Sequence, residues 1–191
     1  QKWSTRGYHL QHFHALSGRL RARLYVGDAE GARRVFDEHR RPLERSFMLR
    51  HQLMALITDG LDVSTALAMA DATRGVTRTR WQWRARRLTA RIEREDMAWA
   101  NPSAALFRAA LAHQHGDDAR SLVQLDAAER GYIAADMPLH AAVARLKRGQ
   151  IRDGDQGRAL VKEGRARIRE CGFENPTRAA ALYAPGFATR D

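Results

Sequence analysis

Apolar residues recur along this chain every three or four positions and almost never alternate, the period of amphipathic helices rather than half-buried strands. Leu10, Phe13, Leu16, Leu20 and Leu24 mark one face of a first helix, expected over about residues 5–26. Gly27-Asp28 stops it: glycine suits a left-handed cap and aspartate caps the next helix. That second helix, over about 29–39, buries Ala32, Val35 and Phe36, and Pro42 is expected to open a new element. Leu49, Leu53, Leu56, Gly60, Val63, Leu67 and Ala70 then form one seam at steps of four and three, predicting the longest helix. Gly60 interrupts it as either a break at Asp59-Gly60 or a close contact with a neighbouring helix. Because the seam keeps its phase, one bent helix is the favoured reading.

Trp81, Ala85, Leu88 and Ile92 line a helix over about 77–95, and Asn101-Pro102 opens another that packs Leu106, Phe107 and Ala110 before Gly116-Asp117. Leu122, Leu125, Ala128 and Tyr132 follow, then a short helix from Pro138 with Leu139, Ala142, Val143 and Leu146. Gly154-Asp155 precedes a helix bearing Leu160, Gly164, Ile168 and Cys171, and Asn175-Pro176 starts the last, which ends at Pro185-Gly186. The expected fold is all-α, nine or ten helices in antiparallel hairpins, since short turns leave consecutive helices side by side. Gly27 is followed by Ala32 and Phe36, and Gly116 by Ser121 and Leu125, the small-then-large spacing of tetratricopeptide hairpins. The two turns lie out of step with a 34-residue period, so an irregular tetratricopeptide-like solenoid is expected, with a non-repeating bundle as the alternative.

Composition supports the helices: 33 Ala and 19 Leu stand against 7 Val and 5 Ile among 191 residues. Residues 1–191 are expected to form a single module, and because the chain opens on Gln1 it reads as a C-terminal piece of a larger protein. Cys171 is the single cysteine, which excludes an internal disulfide and any multi-cysteine zinc site. The longest uncharged runs, 97–107 and 179–189, each contain a proline and fall far short of the roughly 20 apolar residues of a bilayer span. No membrane association and a cytoplasmic location are therefore expected. The net charge of +11 invites a nucleic-acid reading. However, the excess is spread along the chain, and many arginines have acids three or four residues away, as in Glu30/Arg34, Arg91/Glu95 and Glu163/Arg167.

Chemistry is hard to find. Neither a phosphate-cradling GxxxxGK[ST] or GxGxxG loop nor HExxH or GxSxG occurs. His9 and His12 share a helical turn near His14, yet nothing supplies the further ligand and oriented outer contacts that catalytic zinc needs. His113 and His115 flank a helix end and read as caps, and Cys171 reads as a buried thiol. Carboxylates such as Glu93/Glu95/Asp96 and Asp117/Asp118 sit near turns and read as caps and solubilising charge. No catalytic residue, cofactor or metal is expected. One constellation stands out: Arg80, Arg84, Arg87 and Arg91, continued by Arg94, recur at steps of four and three, with Trp83 beside them and off the apolar stripe. A tryptophan next to guanidinium groups suits stacking or a partner-binding anchor, unless a neighbouring helix covers both.

The chain also resembles the tetratricopeptide-like C-terminal region of large bacterial serine/threonine protein kinases. The residues that carry the resemblance are 10–14 (LQHFH), 24–28 (LYVGD), 42–46 (PLERS) with Leu49-Arg50, 157–161 (GRALV), 175–178 (NPTR) and 184–187 (APGF). These are turns and seams rather than reactive groups. The resemblance implies a non-catalytic, regulatory interaction module, its partner a protein: the kinase or ATPase-like parts of its own parent chain, or another acidic surface. A basic helical array binding nucleic acid through the Arg/Trp face is the alternative, ranked behind it.

Overall fold

The structure, a computed structural model, describes residues 7–188. Those residues form nine α-helices, one 3₁₀ turn and no strand. In chain order α1 is Leu10–Tyr25, α2 Ala29–Arg45, α3 Gln52–Ala72, α4 Gly75–Arg94 and α5 Asn101–Gln114. They are followed by α6 Asp118–Ala134, α7 Pro138–Ile151, α8 Gly154–Glu170 and α9 Pro176–Tyr183; the 3₁₀ turn, Phe47–Arg50, precedes α3. Residue 5, where the first helix was expected to begin, lies outside the described residues.

Each helix packs on the next in the chain, most closely in the pairs α3/α4, α5/α6 and α7/α8, then α6/α7 and α1/α2, while α9 packs on α7, α8 and α1. The first and last helices thus touch. Three apolar clusters follow this order: Phe13, Leu16, Leu20 and Phe36 with Leu61; Val63, Leu67, Leu88 and Ile92 with Phe107; and Leu106, Leu125, Val143 and Ile168 with Ala180.

The two Gly-Asp turns behave alike. Gly27 and Gly116 adopt φ of +81° and +83°, and the next amide N–H reaches back to the carbonyls of Arg23 and Ala112, the bonding that closes a helix through a left-handed glycine. Asp28 and Asp117 then accept from Gly31 N–H (2.7 Å) and Arg120 N–H (3.0 Å), capping α2 and α6.

Three expectations change. Pro42 does not open an element; it lies exposed inside α2, which continues to Arg45 so that Leu43 is buried. The seam from Leu49 to Ala70 is split, because Leu49 belongs to the 3₁₀ turn and Leu53 is 52% exposed. Its period averages 3.5 residues while a straight helix turns in 3.6, so Leu53 and Gly60 fall at the edge of a buried face that Leu56, Val63, Leu67 and Ala70 keep and that Asp59 and Ala66 share. At Gly60 α3 runs on unbroken, in keeping with the favoured single helix, and only the alternative of a close contact fails: a Cβ built there meets no atom within 4 Å. Leu10, assigned to the first apolar face, is 48% exposed.

Among the described residues α3 is the one helix long and apolar enough to cross a membrane. Half of the qualifying stretch is buried inside the protein, and its Asp59 and Asp62 both contact arginines, so it serves as a central packing helix.

Candidate functional site

The buried stripe of α4 is Ala85, Leu88 and Ile92, with half-buried Trp81 alongside and Gln82 and Thr89 also inside. On a helix turning 100° per residue, Trp83 falls about 170° from the middle of that stripe, and Arg87, Arg80, Arg91 and Arg84 step back toward it. The structure follows this gradient. Trp83 is 62% exposed, and the Arg87 guanidinium lies over its ring, 5.2 Å from the centroid. Arg80 is exposed.

Arg91 and Arg84 are engaged by α3. Arg91 Nε stands 3.3 Å from Asp59. Arg84 donates through Nε to Asp62 at 2.9 Å and again through its terminal nitrogen, a two-pronged pair. Asp62 also accepts from Arg33 of α2 at 3.0 Å, and Arg33 in turn bonds Asp37 and lies over the rings of Phe36 and Trp81. Asp62 and Arg33 are less than a tenth exposed, so this cluster ties α2, α3 and α4 together. Its hydrogen bonds to Asp62 raise the Arg84 pKa. Burial pushes Asp59 up to about 6 against the pull of Arg91.

The predicted stripe therefore divides. Arg84 is structural and Arg91 is half committed, whereas Arg80, Trp83 and Arg87 form an outward face with exposed Val76 one turn before and Arg94 two turns after. No Asp or Glu stands on that line of α4. The missed signal was in α3: two aspartates inside an apolar helix must be paired once buried, and arginines on the adjoining helices are the available partners.

A second basic line runs along α8. Arg158, Lys162, Arg165 and Arg169 recur at steps of four and three, and with Arg152 they line a groove of about 570 Å³ whose one acid among the described residues is Asp153. Periodicity could have found it. Of the groups weighed for other chemistry, His12 accepts from the His9 N–H at 3.0 Å. His115 bonds the Leu111 carbonyl at 2.6 Å, and His113 pairs with Asp118 at 2.8 Å. Glu93 holds Arg108, Asp96 accepts from Asn101, and Cys171 is half-buried at the end of α8 rather than within the core. Among the described residues no three His, Cys, Asp or Glu side chains come together as a metal site.

No family model matches the chain, and no curated protein or solved structure shows significant similarity to it.

Proposed function

We propose that this chain is a non-catalytic interaction module, a tetratricopeptide-like array of helical hairpins whose α4 face docks an acidic segment of a partner protein. The observation that carries the reading is Trp83, turned away from the core, exposed, and stacked by Arg87 on a face without acids. Tryptophan and arginine are the residue types that dominate binding energy where they are desolvated by a partner. Pairwise packing of successive helices and the matched Gly27 and Gly116 turns support the array. The resemblance to kinase C-terminal regions makes a regulatory tail of a cytoplasmic kinase the favoured context, its partner being the kinase or ATPase-like part of the parent. The basic line on α8 favours a second reading, contact with nucleic acid.

A captured partner, purified and titrated against the chain by calorimetry, tests the reading. Trp83→Ala should weaken binding about tenfold or more, and Arg80→Glu with Arg87→Glu should do the same and flatten the salt dependence, melting temperature unchanged. Arg84 is left intact, because a glutamate there would face Asp62. Affinity indifferent to these variants, or equal affinity for unrelated DNA and RNA lost on charge reversal at Arg158, Lys162 and Arg165, would overturn it.

A further inference from the structure

The inner faces of α1, α3, α5, α7 and α9 line a half-open cavity of about 290 Å³, together with Ile92 of α4 and Tyr132 of α6. That is at the lower end of the roughly 300–1,000 Å³ of small-molecule sites. Its wall is mostly aliphatic and aromatic, with no Asp or Glu in it, and Arg21 is its only charged residue among the described residues. Arg21 is exposed, so the guanidinium belongs to the open end of the cavity. Among the described residues no carboxylate lies within ion-pair distance of it, in contrast to Arg33, Arg84, Arg108 and Arg145, which all have acids. His140 sits inside between two aromatic rings, 5.2 Å from Tyr132 and 5.0 Å from Tyr183. Burial first, then Arg21, lowers its pKa to about 4, so it is neutral at pH 7. Tyr132 donates to Ser103 at 3.0 Å. Trp99, His140 and Tyr183 line the same space. Gly60 forms part of the wall, and a Cβ added to it would meet nothing.

We infer that this cavity binds a small monocarboxylate with a compact apolar body, one or two rings in size, its carboxylate paired with Arg21 and its body among Tyr132, His140, Tyr183 and Phe107. Charge complementarity selects the head group: an unpaired guanidinium over an apolar, acid-free cavity favours an anion and repels a cation. The volume limits the body. The site is separate from the α4 face and stands whether or not that face docks a protein.

The test is calorimetric titration of the whole chain with 1-naphthylacetate, phenylacetate and the uncharged 1-naphthylacetamide. At least one acid should bind with Kd on the order of 0.1 mM, a figure ordinary for a ligand of this size, and the amide should bind about tenfold or more weakly. Arg21→Gln should bring naphthylacetate down to the amide's affinity without moving the amide. Gly60→Leu should abolish binding of both by filling the cavity, while raising the melting temperature through better helix propensity. Neither acid binding up to about 5 mM, well above the Kd expected for such a ligand, would overturn the proposal. So would equal affinity for acid and amide, or binding indifferent to Arg21→Gln or Gly60→Leu in variants whose circular dichroism is native.

Discussion

Lys147 is 8% exposed, has no carboxylate within ion-pair distance among the described residues, and rests its ammonium 5.5 Å from the centre of the Phe187 ring. Burial lowers its pKa to about 8, with a weaker opposing pull from Asp71. The unfolded chain holds this proton to a higher pH than the folded one, so stability is lowest below pH 8 and recovers as pH rises from about 8 toward 10.5. Lys147→Met should accordingly stabilise the protein at pH 7 by about 1–3 kcal/mol and remove that alkaline rise, read from urea midpoints at pH 7 and 9.5. Asp59 acts in the opposite pH range. Its carboxyl, at about 6 when folded, binds a proton more tightly in the native state, so its contribution is greatest in acid and lost as pH climbs from about 4 to 6. Arg91 is half exposed, which tempers the size of the effect through solvent screening. Asp59→Asn should raise stability at pH 7 by about 1 kcal/mol and leave it nearly unchanged at pH 4. Asp62 differs from both, because two guanidinium groups depend on it. Asp62→Ala would leave Arg33 and Arg84 without their shared acceptor, and a loss of about 3–5 kcal/mol is expected.

Within α3 the drift of the buried line separates positions that look equivalent on a strict seam. Leu53→Asp, at a half-exposed site, should shift stability by no more than about 1 kcal/mol, whereas Val63→Asp, fully buried, should abolish folding. Thermal melts of the two variants distinguish the drifted line from an even seam. The α7/α8 pair depends on missing side chains. A Cβ at Gly157 would stand 1.8 Å from the Arg152 carbonyl oxygen, and one at Gly164 would press the backbone of Leu146 at 2.9 Å. Rigid backbone, not a movable side chain, opposes both. Gly157→Ala should therefore cost about 1–3 kcal/mol through overpacking, despite alanine's better helix propensity.

Over the whole molecule, contact between α1 and α9 turns a linear succession of helix pairs into a closed arrangement. A simple open array gains stability from nearest neighbours alone and loses repeats piecemeal. Closure adds a long-range contact, so the protein should melt as one cooperative, all-helical transition by circular dichroism, unaffected by reductant. Ending the chain after Glu174 would remove Ala179, Ala180 and Ala184 from one core cluster and Leu182 and Tyr183 from the cavity wall. That truncation should lower the melting temperature by several degrees and open the cavity to a fluorescent apolar dye.

The helices and most of their limits were legible in the chain, because periodicity, alanine content and Gly-Asp or Asn-Pro boundaries act over a few residues. Gly27, Gly116, Asn175 and Pro176 perform in the structure the roles their residue types dictate. The face carried by Trp83 was legible for the same reason: its angle from the Ala85–Leu88–Ile92 stripe is a property of one helix. The fate of Arg84 was not, since it depends on which side of α4 meets α3 and on where Asp62 then lies. Nor was the cavity, whose wall draws Arg21, Gly60, Trp99, His140 and Tyr183 from separated parts of the chain. Local free energies select the helices; only packing between elements decides which charges are paired, which histidine is held between aromatic rings and where space is left open.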